Sequence, residues 1–86
     1  MQKKVLIVED YEDSRSFMKF LVESYGYQVI EAADGIEAVD RFKNFHPDLI
    51  LMDISLPTVD GLTATKVIRG FNDSQNVPII AVTAFG

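Results

Sequence analysis

Two short aliphatic runs that end on acids constrain this chain more than anything else in it. Val5-Leu6-Ile7-Val8 stops at Glu9-Asp10, and Leu49-Ile50-Leu51-Met52 stops at Asp53. Apolar runs of this length without polar alternation are the pattern of strands buried on both faces, as in a parallel sheet. Parallel strands need crossover connections, so the stretches between the runs decide the fold.

Those stretches read as helices. From Tyr11 to Tyr25, Phe17, Met18, Leu21, Val22 and Tyr25 fall at helical spacing, with Lys and Glu opposite and Gly26 as the stop. Tyr27 to Ala32 alternates and is β-prone, which predicts a second strand, half exposed at an edge. Asp34 and Glu37 stand at capping-box spacing, and the helix they open runs to about Phe45, burying Ile36, Val39 and Phe42 before Pro47 breaks it. After Asp53 come a loop with Pro57, a turn at Asp60-Gly61, and a helix with Leu62, Thr65, Val67 and Ile68 available for packing, ended by Gly70. Asn72 to Asn76 is a polar loop, and Val77 to Thr83 predicts a fourth buried strand with Pro78 near its start.

The order β-α-β-α-β-α-β defines an α/β chain with a parallel sheet, right-handed crossovers and helices on both faces. Ligands in such sheets bind at the carboxyl ends of the strands, where the connections change direction. Glu9, Asp10, Asp53 and Thr83 all fall at that edge. Taken singly, Asp10 reads equally as a cap of the first helix, Asp53 as a loop cap and Thr83 as a β-former. Together they make one crevice. Clustered carboxylates repel, and each pKa rises unless a cation offsets the charge. An all-oxygen site suits Mg²⁺, with Mn²⁺ as a substitute, and with no cysteine and one histidine zinc is disfavoured. Charge neutralised in this way points to phosphoryl transfer onto Asp53 as an aspartyl phosphate.

Composition narrows the alternatives. Eighty-six residues allow one domain, and a net charge of −5 with scattered Lys and Arg argues against a nucleic-acid surface. The absence of cysteine excludes disulfides and thiolate catalysis and fits a reducing cytoplasm. Val5 to Val8 is far too short for a signal-peptide core or a membrane span, so a cytoplasmic protein without membrane contact is expected. His46 reads as a surface residue, Asp60-Gly61 as a helix-start turn, and Tyr11, Tyr25 and Tyr27 as packing residues. Glu12 and Asp13 favour the dipole of the first helix.

Three blocks carry a family resemblance: Val5 to Asp10, Pro47 to Pro57 with Asp60-Gly61, and Pro78 to Ala84. In order and spacing they resemble the receiver domain of two-component response regulators, of the chemotaxis-regulator kind, across essentially the whole chain. The resemblance implies a flavodoxin-like doubly wound sheet, with Asp53 accepting a phosphoryl group from a sensor histidine kinase or phosphotransfer protein. It also implies Mg²⁺ held by Asp10 directly, by Glu9 through water, by Asp53 and by the backbone carbonyl of Ser55. Thr83 takes the part of the switch hydroxyl, with Ala84 as its small neighbour. Such domains also catalyse their own phosphorylation from small phosphodonors and their own dephosphorylation.

Receiver domains have five βα units, and this chain stops at Phe85-Gly86, just past the fourth strand. The resemblance thus implies that residues 1–86 are the N-terminal portion, lacking the last helix-strand-helix and the Lys it carries. With strand order 2-1-3-4, the fourth strand is a bare apolar edge, and one face of strands one and three lacks a covering helix. Self-association, or pairing with the missing C-terminal segment, is expected at that surface. The alternative function is a non-catalytic interaction module that kept the fold. A flavodoxin-like cofactor binder is disfavoured, because the loop after the first strand is acidic where a phosphate cradle needs glycines.

Overall fold

The computed structural model describes residues 2–53, 56 and 60–82. In chain order they form β1 (Lys4–Val8), α1 (Glu12–Ser24), β2 (Gln28–Ala32), α2 (Gly35–Phe45), β3 (Leu49–Asp53), α3 (Gly61–Arg69), a 3₁₀ turn (Asn72–Ser74) and β4 (Ile79–Val82). All pairings are parallel and the sheet order is β2-β1-β3-β4. This is the order expected with the family resemblance.

The order decides where the helices lie. The step from β1 to β2 runs one way across the sheet, and the steps from β2 to β3 and from β3 to β4 run the other way. Right-handed crossovers then put α1 on one face and α2 with α3 on the opposite one. The change of direction opens a crevice between the carboxyl ends of β1 and β3.

Partners in register share a face, so Leu6, Val8, Ile30, Ala32, Ile50, Met52 and Ile79 point together toward α2 and α3. There they join Ala38, Phe42, Ala64 and Ile68 in the main core. Phe42 stacks on Phe71 with ring centroids 5.9 Å apart. The helices touch the sheet through small residues: Gly35, Ala38, Gly61 and Ala64 are buried, while Ile36, Leu62 and Val67 are exposed. The expected burial of Ile36, and the packing of Leu62 and Val67, are therefore corrected. Phe42 and Ile68 are the large side chains that α2 and α3 bury, and Gly35, Ala38, Gly61 and Ala64 fill the rest of the buried face of each helix.

The other face is thinner. α1 covers Val5 and Ile7 but buries none of its own residues, and Phe17, Phe20, Leu21 and Tyr25 are exposed. Tyr11, Tyr25 and Tyr27 are also exposed, so they are not the packing residues expected. β1 is buried on both faces, which corrects the expectation that it lacks cover; Leu49 and Leu51 of β3 are half-buried. β4 is not a buried strand. It pairs with β3 alone among the described residues, and Ile80 remains 49% exposed.

Local signals set the element ends. The Asp34 carboxylate accepts the Glu37 N–H at 2.8 Å, while Glu37 accepts the Ala33 N–H at 2.8 Å, one residue earlier than a capping box requires. Asp60 caps α3 by accepting the Thr63 N–H at 2.7 Å, a bond that holds its carboxyl below the usual range. His46 closes α2 in the left-handed region at φ 49° and lies 3.4 Å from Asp73 on the surface. No described helix is long and apolar enough to cross a membrane.

Candidate functional site

β1 delivers Glu9 and β3 delivers Asp53 to the crevice at the change of direction. Val8 is in register with Met52, so Glu9 and Asp53 follow their aliphatic runs at the same height. Asp53 is 2% exposed and Glu9 3%, while Asp10 faces solvent. One carboxylate oxygen from each of Glu9, Asp10 and Asp53 lies within 4.8 Å of the others. Oxygens that share one Mg²⁺, each about 2.1 Å from it, stand roughly 3–4 Å apart. The observed cluster, with its oxygens all within 4.8 Å, is compact enough for one such ion.

The electrostatics agree with this geometry. Glu9 is pushed up to about 7, first by burial and then by the neighbouring Asp53 and Asp10 carboxylates, against the opposing Tyr11 N–H. That N–H donates to Glu9 Oε2 at 3.2 Å. The backbone of Glu9 is tied as well, its own N–H donating to Ala32 O at 3.1 Å. A buried carboxyl that holds its proton this tightly is a site where a divalent cation can take the proton's place.

Asp10 does not cap α1. The N-cap position belongs to Tyr11 and makes no side-chain cap bond, while Glu12 and Asp13 occupy the first turn as expected from the dipole. Asp60 stays with its own helix, as the turn reading required. Ser55 and Thr83, the carbonyl ligand and switch hydroxyl of the sequence reading, lie outside the described residues, as does Ala84.

Sequence reasoning passed over Arg15. Its Nη1 donates to Glu9 O at 2.9 Å and its Nε to Glu31 Oε1 at 3.2 Å, joining α1 to the ends of β1 and β2. The available signal was a lone cation directly after Glu9, Asp10, Glu12 and Asp13.

A doubly wound parallel sheet with three acids at its topological switch is the architecture of a signalling receiver, and sequence comparison places the chain in that class. Residues 5–86 match the response regulator receiver domain family, and the chain belongs to it. Among its relatives, the polar-differentiation response regulator DivK of Brucella ovis is 47% identical over 85 residues, covering 99% of this chain and 69% of the relative. The receiver domain of a sensor histidine kinase from Pseudomonas aeruginosa, solved with a magnesium ion coordinated in its active site cleft, superposes with a TM-score of 0.92. It is 40% identical, with 98% of this chain and 69% of that one covered. The chemotaxis protein CheY4 of Vibrio cholerae gives a TM-score of 0.94 at 29% identity, over 100% of this chain and 72% of that one.

Proposed function

We propose that this chain is a phosphorylation-dependent signalling switch of a two-component system, accepting a phosphoryl group on Asp53 from a sensor histidine kinase or phosphotransfer protein in the cytoplasm. The observation that carries this reading is the convergence of Glu9, Asp10 and Asp53 at the sheet's switch point, with Asp53 at the very end of β3. Membership of the receiver family supports it.

An Asp53 carboxylate oxygen attacks the phosphorus of the donor phosphohistidine. A P–O bond forms, the P–N bond breaks, and the imidazole nitrogen leaves with the bonding pair and is protonated. Glu9, Asp10, Asp53 and the Ser55 carbonyl are the groups that would hold Mg²⁺, or Mn²⁺ in its place. Bound there, the ion supplies positive charge to offset the carboxylates and the phosphoryl oxygens in transfer. Thr83, which follows β4 in the sequence, takes the role of the switch hydroxyl, biasing a two-state rearrangement that partners read. Residues 1–86 correspond to the N-terminal portion of such a domain, a reading supported by their 69% coverage of the DivK relative.

The decisive experiment incubates the protein with Mg²⁺ and a small phosphodonor and follows its mass. A phosphate gain that Asp53→Asn abolishes is expected. A gain only in a chain extended by the remaining helix-strand-helix keeps the assignment and makes residues 1–86 inert alone. A gain that survives Asp53→Asn, or no gain in either chain, sinks it.

The open face favours a second reading, an interaction module that kept the fold. Phe17, Phe20, Leu21 and Ile80 are exposed beside the half-buried Leu49 and Leu51, and an apolar surface of this kind marks an interface. The protein is then expected to self-associate across β4 and this face. Light scattering that finds a folded monomer stable to concentration would remove that reading.

A further inference from the structure

We infer that Arg15 is a positioning residue of the phosphoacceptor site, a clamp that fixes the peptide joining Glu9 to Asp10 and so sets the angle at which the two acids meet a divalent cation. The inference rests on the metal reading of that site and adds a residue to it.

Glu9 is held by packing and by bonds on both sides. It is buried, its N–H donates to Ala32 O, and its carboxylate receives the Tyr11 N–H. Asp10 is exposed, so packing does not orient it. What orients it is the rigid plane that runs from the Glu9 carbonyl to the Asp10 N–H, because a peptide unit turns as one body. Arg15 Nη1 grips that carbonyl at 2.9 Å. The grip is itself braced, since Nε of the same guanidinium donates to Glu31 Oε1 at 3.2 Å on the neighbouring strand. The Arg15 side chain is 18% exposed and that of Glu31 38%, so the bond to the Glu9 carbonyl is the better shielded from water and salt, and the brace to Glu31 is the more open.

The chemistry calls for arginine. A guanidinium presents donors in a fixed fork and spans two acceptors at once, whereas an ammonium is a single point. The Glu31 carboxylate also neutralises the cation, leaving the acids of the crevice to attract the metal. Arg15 touches neither metal nor phosphate in this role. It acts through the backbone of Glu9, as outer groups that orient metal ligands do.

Two measurements on the same proteins test this. In the first, Mg²⁺ alone is titrated by calorimetry into the parent, Arg15→Ala, Arg15→Lys and Glu31→Gln, each checked for folding by circular dichroism. Arg15→Ala is expected to bind Mg²⁺ about 10- to 100-fold more weakly. Arg15→Lys recovers part of that loss and Glu31→Gln suffers less than Arg15→Ala, a ranking that general destabilisation would not produce. A folded Arg15→Ala protein that binds within about twofold of the parent overturns the inference.

In the second, the ¹⁵N order parameter of the Asp10 amide is measured without metal. A fall from about 0.85 to below about 0.6 in Arg15→Ala, reversed in part by Arg15→Lys, supports the clamp, and an unchanged value overturns it. This separates the two failures. If the parent takes up no Mg²⁺, the metal reading falls, and the amide alone decides whether Arg15 holds the turn.

Discussion

The two ends of the sheet are built from the same strands and treat charge in opposite ways. At the carboxyl end, β1 and β3 run out into Glu9, Asp10 and Asp53, acids brought within 4.8 Å of one another. At the amino end, β1 begins at Lys4 and β3 directly after Asp48, and these two residues are tied together. The Lys4 N–H donates to Asp48 Oδ2 at 2.8 Å, the Asp48 N–H returns a bond to Lys4 O at 2.8 Å, and Lys4 Nζ reaches Phe45 O at 2.8 Å. One end holds the sheet closed and the other holds unfavourable charge for use. Stability and chemistry are thus separated along a strand only five residues long.

That contrast is sharpest in its dependence on pH. Glu9 has a folded-state pKa of about 7 against an ordinary 4.5, so between these values the folded chain binds more protons than the unfolded one. Its contribution to stability is then greatest below pH 4.5, falls as pH rises through about 7, and is flat above. The slope approaches 1.4 kcal/mol per pH unit, roughly the value of one full proton. Denaturant melts of the parent and Glu9→Gln in chelator should diverge across this window, the variant being more stable at pH 8 and equal at pH 4. Adding Mg²⁺ at pH 8 should raise the parent and leave Glu9→Gln behind, because a ligand of the folded state alone stabilises by mass action. Parallel pH profiles for the two proteins would show that the carboxyl end stores no such charge.

What the sequence disclosed follows the same division. Glu9, Asp10 and Asp53 were legible because acids that terminate aliphatic runs stand out against a buried strand, and a parallel sheet must bring its strand ends together. The parallel sheet was legible for a related reason, since the alternation of periods two and 3.6 leaves few topologies, while the strand order came with the family resemblance. Side-chain burial was less so. Helical spacing marked Phe42 and Ile68, which are buried, but also Ile36, Leu62 and Val67, which are exposed, and it passed over Ala38 and Ala64, buried residues whose weak hydropathy gives little signal. For α1 the spacing of Phe17, Leu21 and Tyr25 described a stripe without saying whether anything covers it, because cover is a property of the neighbour. Arg15 escaped because it acts on a backbone carbonyl, a partner that carries no sequence signal.

A moderate effect is expected at the amino end from Asp48→Ala. The variant leaves the Lys4 N–H at the start of β1 without its carboxylate acceptor while the backbone bond from Asp48 to Lys4 remains. The loss should be about 1 kcal/mol, the ordinary net value of one such bond. It should appear equally in melts at pH 6 and pH 8, since Glu9 lies at the other end of the strand. A loss confined to one of these pH values would mean that the two ends are coupled.

The smallest effect belongs to Lys4→Met, which keeps most of the side chain's length and removes its ammonium. Lys4 Nζ bonds the carbonyl of Phe45, the last residue of α2, where the helix dipole is negative and the final carbonyls lack helical partners. A cation there contributes about 0.3–1 kcal/mol at low salt. The bond is exposed, so salt should screen it: the deficit of Lys4→Met in denaturant melts should shrink between low and molar salt. Methionine retains the apolar stem, so any deficit measured is that of the charge and its bond. A deficit unchanged by salt would assign the role of Lys4 to packing of its stem. The amino end would then be closed by the Asp48 bonds alone.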